Sequence, residues 1–164
     1  MPSIAELLAE HRSQHPDEQL PLRVLCDGHQ VMAADVLEVP TAGRLRLQLL
    51  AAEGGVSMGV DLGVEGRFVN KVGDELRSPL RTWWEPDLSG VVEYEYEARD
   101  GRLRITTAQR FPHRGQWFVD QWTGESGMWV EVLTRDGVNR RYHCNHRDTS
   151  PRTFEDLVFD VTVL

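Results

Sequence analysis

Alternation of apolar and polar residues is the dominant pattern along the chain, and it predicts β-strands. Apolar residues occupy every second position from 45 to 49 and again from 157 to 163. Such a pattern places one face of a strand in a core and leaves the other polar. Shorter apolar runs at residues 22–26 and 31–39 are separated by Asp27-Gly28 and predict further strands. The final strand is expected to tie the C-terminus into a sheet.

Two Asp-Gly pairs set between alternating runs predict two β-hairpins. For the first, a two-residue loop at Asp100-Gly101 places residues 94, 96 and 98 on the same face as residues 103, 105 and 107. This register sets Glu97 directly against Arg104. It also predicts a positive φ angle at both loop residues, as a two-residue hairpin turn requires.

The second hairpin requires a longer turn to match its faces. A three-residue loop, residues 135–137, with Gly137 in the left-handed region, pairs residues 130, 132 and 134 with 142, 140 and 138. The opposite face then sets Glu131 against Arg141 and Trp129 against His143. Pairs of this kind contribute roughly 0.2–1 kcal/mol each, so the register follows from their sum and from burial.

Ser3 predicts the beginning of a short N-terminal helix. Glu6 follows it at the spacing of a capping box, and an apolar stripe of Ile4, Leu7 and Leu8 comes with it. The helix is expected over about residues 3–14, since it must stop before Pro16.

The central region is less regular. Glycine is dense between residues 53 and 73, without the spacing of a phosphate-binding loop, and predicts strands with bulges or bends. Residues 74–90 contain two prolines and predict a loop that carries Trp83 and Trp84. Residues 110–115 predict a turn into a strand at 116–122, whose aromatic residues on both sides indicate that both faces are at least partly covered.

Together these elements predict a mainly β protein of the β-rich α+β class. We expect about 8–10 strands in an antiparallel meander, forming a barrel or a two-layer sandwich, with the one short helix at one end. The 164 residues are expected to form a single domain, 1–164, with the β-rich body at residues 21–164.

Charge and composition narrow the class of partner. The chain has 26 acidic and 18 basic residues, a net charge of −8, which argues against nucleic acid and is compatible with a basic protein partner. Only Lys71 among the basic residues is lysine, which suggests a GC-rich bacterial source. We expect a cytoplasmic protein without a membrane span, since the start lacks a signal-peptide pattern and no apolar run approaches ~18 residues. Cys26 and Cys144 are then expected to be reduced and packed.

No catalytic residue, metal ligand or cofactor is predicted. His143, Cys144 and His146 look like a metal cluster, but residues 143 and 146 of an extended strand point to opposite faces. Carboxylates are plentiful, yet none is marked as desolvated, so no general acid or base is assigned. We therefore expect a binding protein rather than an enzyme.

In size, acidity, expected cytoplasmic location, β-rich build and lack of catalytic motifs, the chain resembles bacterial immunity proteins. The resemblance covers the whole chain without any motif, so no residue is carried over from it. It implies a non-catalytic inhibitor that blocks a cognate toxin or enzyme through an acidic, aromatic-bearing surface. The candidate binding residues, chosen for aromatic or polar character near irregular segments, are Trp83, Trp84, Glu85, His113, Trp117 and Trp122.

Two alternatives belong to other classes. A small-molecule-binding β-barrel would use Trp117 or Trp122 to line an apolar cavity. An enzyme of barrel or cupin type would use His113, His143 and His146. The sequence does not predict the oligomeric state.

Overall fold

Antiparallel β-sheet dominates the computed structural model, which describes residues 1–52, 57–84, 90–120 and 124–164, except for the side chains at 57, 84 and 120. The elements are α1 (Ile4–Gln14), β1 (Val24–Cys26), β2 (His29–Val31), β3 (Asp35–Glu38), β4 (Ala42–Ala52), β5 (Ser57–Gly63), β6 (Gly66–Val69), β7 (Glu75–Arg77), β8 (Leu80–Trp84), β9 (Val91–Ala98), β10 (Arg102–His113), β11 (Gln116–Asp120), β12 (Gly127–Val132), β13 (Asn139–Asn145) and β14 (Leu157–Val163).

Two sheets form the body of the protein. The large sheet has seven strands in the order β12-β13-β14-β4-β9-β6-β7. The small sheet has the order β11-β10-β5-β8, with β3 also paired to β10. Side chains from both sheets share one buried core, with Leu47 and Phe159 of the large sheet beside Val60 and Ile105 of the small sheet. This arrangement confirms the predicted mainly β class in its two-layer form.

The helix flanks a second, smaller core. Ser3 and Glu6 form the predicted capping box, and Ile4 is fully buried. Ile4 packs with residues of β1, β2 and the segment before β14, namely Val24, Cys26, Val31 and Phe154. The helix therefore adds a cluster beside the sandwich and does not enter the main core.

The second predicted hairpin is confirmed in register and in turn. Val130 lies opposite Tyr142, and Trp129 lies opposite His143. Gly137 has a φ angle of 72°, as the three-residue loop requires. The final strand is part of a sheet as expected, since β14 pairs with β13 on one side and with β4 on the other.

The first predicted hairpin is wrong in its pairing. β9 pairs with β4 and β6 in the large sheet, whereas β10 belongs to the small sheet, so the chain changes sheets at Asp100-Gly101. Only Gly101 of the two has a positive φ angle, 66°. Glu97 consequently pairs with Arg67, 3.0 Å away, and not with Arg104. The predicted inward faces are correct, because alternation identifies the buried side of a strand but not the strand beside it.

The segment predicted as a loop at 74–90 contains two strands. β7 pairs with β6, and β8 pairs with β5, so Trp83 and Trp84 lie on a strand and not in a loop. Pro79 lies between these two strands and interrupts neither of them. Short strands of this kind bring the described total to fourteen, above the eight to ten expected.

The predicted turn at 110–115 is shorter than expected. β10 continues through Pro112 to His113, and only Arg114 and Gly115 form the turn, with φ angles of 51° and 76°. Pro112 is tolerated because, among the described residues, β5 pairs with β10 only as far as Arg110, so the missing N–H removes no hydrogen bond to the described part of β5.

A buried carboxylate joins the two sheets. Asp35 of β3 is fully buried. It accepts hydrogen bonds from the Tyr142 hydroxyl at 2.8 Å and the Arg140 guanidinium at 3.0 Å, both on β13 of the large sheet. Burial raises the pKa of Tyr142 well above its usual value, and the Asp35 charge raises it further. The phenol therefore stays protonated and acts as a donor.

The Tyr142 hydroxyl is expected to stabilise the fold, whereas a second buried tyrosine hydroxyl does not. Tyr142→Phe should lower the free energy of unfolding by about 1–3 kcal/mol, because Asp35 loses a buried donor. Tyr96 is a matched control, since its buried hydroxyl has no hydrogen-bond partner among the described residues. Tyr96→Phe should be neutral or slightly stabilising. Urea unfolding of both variants checks this, and equal losses would contradict it.

Candidate functional site

Two arginines and two tryptophans alternate along the outer face of the small sheet. The Arg81 guanidinium lies 5.5 Å from the centre of the Trp83 ring. The Arg110 guanidinium lies 4.8 Å from the Trp83 ring and 5.0 Å from the Trp117 ring. We refer to these four residues as the cation–aromatic stack. Each such contact contributes about 0.5–2 kcal/mol, depending on its exposure to water.

Strand register explains why the stack forms. Trp83 of β8 lies opposite Gly59 of β5, which lies opposite Ala108 of β10. A Cβ atom at Gly59 would come within 2.7 Å of the Trp83 ring. The indole therefore lies directly over a glycine, and the small Ala108 follows in the same row. Two positions further along β10, on the same face, is Arg110.

A buried carboxylate fixes the first arginine of the stack. Asp61 is only 5% exposed and accepts two hydrogen bonds from Arg81, at 2.6 Å and 2.7 Å. The hydrogen bond to Asp61 raises the pKa of Arg81. The paired, rigid geometry of a bidentate contact holds the guanidinium in place beside Trp83.

Beyond the stack, the hairpin of β10 and β11 projects large apolar side chains into solvent on both of its faces. The exposed fractions are 37% for Phe111, 62% for Trp117, 43% for Phe118 and 48% for Val119. Phe111 and Phe118 stack on one face at 6.1 Å, with His113 against Phe118. We call these residues, with Arg110, the hairpin surface. Both faces of β11 were expected to be at least partly covered, and Trp117, the most exposed of its aromatic side chains, keeps 62% of its surface in solvent.

The strand β11 is also an edge of the small sheet. Among the described residues it pairs only with β10. In a hairpin with a two-residue turn, the residues on either side of the turn, here His113 and Gln116, form the first hydrogen-bonded pair. Hydrogen-bonded pairs recur at every second residue, so the N–H of Phe118 also points toward β10. The N–H groups of Trp117 and Val119 then point away from β10. The hairpin thus offers free backbone donors next to exposed apolar side chains.

Three of the predicted binding residues lie in this region. Trp83 and Trp117 are both in the cation–aromatic stack, and His113 is on the hairpin surface. Trp84 lies on β8 opposite Met58, but its side chain is outside the described part of the chain. Glu85 and Trp122 also fall outside the described residues.

Sequence reasoning missed the arginines and the phenylalanines of the site. Arg110 connects Trp83 to Trp117, and Phe111 and Phe118 supply the second exposed face. One local pattern did indicate an exposed apolar hairpin, because apolar residues flank the Arg114-Gly115 turn on both sides. Trp83 lies near these residues only because β8 and β10 both pair with β5. Such pairings between segments far apart in the sequence leave no local pattern.

The three histidines of the enzyme alternative have separate surroundings. His143 stacks on Trp129 at 3.9 Å, and the other face of that indole stacks on His29. His146 is buried and makes hydrogen bonds to Thr107 at 2.7 Å and Ser126 at 3.2 Å. His113 packs on the hairpin, as described above.

Two residues close to His146, Cys144 and Asp156, are buried and contribute to the fold around it. Cys144, two residues before His146, is a fully buried free thiol, and its burial raises its pKa. Burial alone would raise the pKa of Asp156, but hydrogen bonds from the backbone of His146 and Arg147 and from the Arg147 side chain outweigh it and lower the pKa. The Asp156 carboxylate therefore holds the turn after β13.

Comparison with models of known protein families and with curated protein sequences finds no match to this chain. None of the helices in the described residues has the length and apolar character needed to cross a bilayer.

The close approach of Trp83 to Gly59 generates a prediction about the stack. Gly59→Ala should displace the indole and lower the free energy of unfolding by about 1–3 kcal/mol, because the added methyl group has no room. The near-UV circular dichroism of the tryptophans should change with it.

Gly63→Ala, on the same strand, is the matched control. A Cβ atom there would lie 3.6 Å from its nearest neighbour, an ordinary contact. This variant should retain the wild-type spectrum and stay within about 0.5 kcal/mol of wild-type stability. Identical spectra for Gly59→Ala and wild type would contradict the described packing.

Proposed function

We propose that this protein is a non-catalytic protein-binding domain, and that the hairpin surface and the cation–aromatic stack are its binding site. The observation that carries the proposal is the exposure of four large apolar side chains on both faces of one edge hairpin. Large apolar side chains exposed close together in this way typically mark a protein interaction site.

The composition of the surface supports this proposal. Tryptophan and arginine are the side chains most often found to dominate binding energy at protein interfaces. In the stack, Arg110 is held between Trp83 and Trp117, so these groups are ordered before a partner arrives. Ordering in advance reduces the entropy lost on binding.

The mode of binding that the edge favours is strand addition. A partner segment in extended conformation would pair with the outward N–H and C=O groups of Trp117 and Val119 on β11. Its side chains would alternate between the two faces, meeting the Trp117 side or the Phe118 side in turn. Backbone pairing would supply affinity, and these two faces would supply specificity.

We further propose an inhibitor of the immunity type as the specific role, with a basic toxin or enzyme as the partner. The net charge of −8 would attract a basic partner at long range. Residues 109–120 themselves contain Arg110, Arg114 and only one acidic residue, Asp120. Charge would therefore speed the encounter, and the apolar hairpin surface would hold the complex.

The two alternatives have less support. The ligand-carrier alternative would use Trp117 to line an internal cavity, but this side chain is on the outside of the sheet. The enzyme alternative would require His113, His143 and His146 to converge, and each of them has a different set of neighbours.

The double variant Trp117→Ser/Phe118→Ser should lose the partner. Removing one anchor from each face is expected to weaken binding by more than about 2 kcal/mol, roughly 30-fold. The measurement is affinity purification of the tagged protein from its native host at low salt, followed by titration with the purified partner.

The control is Leu25→Ser, which removes an exposed apolar side chain on β1, outside the hairpin surface. It should bind as wild type does. Recovery of the same protein at the same affinity with the hairpin double variant would contradict the proposed site.

Strand addition can be tested separately from side-chain contact. Val119→Pro removes an N–H that points away from β10, so the hairpin should be preserved while partner pairing is lost. Val119→Ala removes most of the same side chain but keeps the N–H. Proline should weaken binding at least tenfold more than alanine, measured by calorimetry with the same partner. Equal affinities for the two variants would argue for side-chain recognition alone.

A further inference from the structure

We propose that His11, His15 and Glu18 form a binding site for a divalent transition-metal ion, with Zn²⁺ as the fitting example. We call these three residues the His–His–Glu cluster. Their ligand atoms all lie within 4.8 Å of one another. The proposal concerns helix α1 and the residues after it, and it is independent of the hairpin surface.

The end of the helix brings the two histidines together. His11 lies in the last turn of α1, and His15, four residues further on, is the C-cap residue, whose N–H donates to the His11 carbonyl at 2.9 Å. This spacing brings the two side chains to the same end of the helix. Their rings stack with centroids 4.5 Å apart. Beyond the helix, the chain turns back, with the Glu18 N–H donating to the His15 carbonyl at 3.2 Å. This turn places the Glu18 carboxylate in contact with Nε2 of His11.

A backbone contact prepares one imidazole for metal binding. Nδ1 of His15 lies 3.2 Å from the carbonyl oxygen of His11. Because a carbonyl oxygen can only accept, this nitrogen carries the proton, and Nε2 keeps its lone pair for a metal. A backbone carbonyl that binds the second ring nitrogen in this way is a common feature of histidine metal ligands.

The donor set selects the class of ion. Two imidazole nitrogens and one carboxylate suit zinc and its neighbours copper, nickel and cobalt, whereas calcium and magnesium prefer oxygen ligands throughout. Tetrahedral ligands around zinc lie roughly 3.4 Å apart, given bond lengths of about 2.1 Å. His15 and Glu18 are exposed and can close the remaining distance by rotation of their side chains. Three protein ligands leave one position for water or for a group of another molecule.

A bound ion would connect the last turn of α1 to the segment that follows it. Ile4 at the other end of the helix is held in the smaller core, and Ser3 and Glu6 cap that end. At the C-terminal end, the side-chain hydrogen bonds seen within the described part of the chain, among them the His11–Glu18 pair, are exposed to solvent. Metal binding would therefore fix the less supported end of the helix.

The test uses the full chain without a polyhistidine tag, treated with EDTA and then dialysed. Isothermal titration with zinc chloride should give one ion per chain, and Co²⁺ should give the visible absorption of a low-coordinate site. His11→Ala/His15→Ala should abolish both signals. Glu18→Gln, which keeps the volume of the side chain, should weaken zinc binding at least tenfold. Circular dichroism in EDTA confirms that each variant is folded.

The matched control is His143→Ala, which breaks a different histidine–glutamate contact, the one with Glu131 at 3.1 Å. It should leave zinc binding unchanged. The absence of stoichiometric zinc binding by the wild type would overturn the proposal, as would binding that survives in the double histidine variant. Either result would leave the proposed protein-binding surface unaffected, since the hairpin variants test that separately.

Discussion

The packing of the large sheet against the small sheet is the interaction on which the rest of the structure depends. The inner faces of both sheets are almost entirely apolar, and their burial supplies the main driving force for folding. Polar contacts then fix how one sheet lies on the other. Asp35 reaches Tyr142 across the interface, and Thr107 reaches His146. Because buried polar groups are costly without partners, these contacts discriminate against other arrangements of the same two apolar faces.

The strand β10 connects this core to the candidate binding surface. Its first half carries Leu103 and Ile105 in the core, and its second half extends past the end of β5 to form the projecting hairpin. Rigid support from the core therefore reaches the exposed side chains along one continuous strand. A site built on a strand in this way keeps its geometry better than a site on a loop.

The parts of the fold that sequence could predict are those with local causes. The helix follows from Ser3 and Glu6, and the second hairpin follows from Gly137 and the pairs beside it. The pairing of β9 could not be predicted in this way. Its alternation is as regular as that of β12, but its neighbours β4 and β6 come from elsewhere in the chain. Periodicity contains no information about such distant partners.

The same distinction applies to the candidate sites. Arg110 and Trp117 meet across a tight hairpin, which is a local contact. Trp83 lies beside them only because β8 pairs with β5, and the prolines at 79 and 86 made its segment resemble a loop. The four-residue spacing of His11 and His15, at the end of the helix predicted over about residues 3–14, was a local signal for a metal site. His143 and His146, in contrast, are close in sequence but have different surroundings in the fold.

The open edge of β11 affects how prone the protein is to aggregate when no partner is bound to it. A strand whose outer edge has no partner among the described residues, and which carries apolar side chains on both faces, is a template for any extended chain, including a second copy of itself. Under the proposed strand addition, molecules in excess over the partner would tend to join edge to edge and be lost to aggregates or to proteolysis. On that proposal, a cell would gain from synthesising the protein in proportion to the partner that covers this edge.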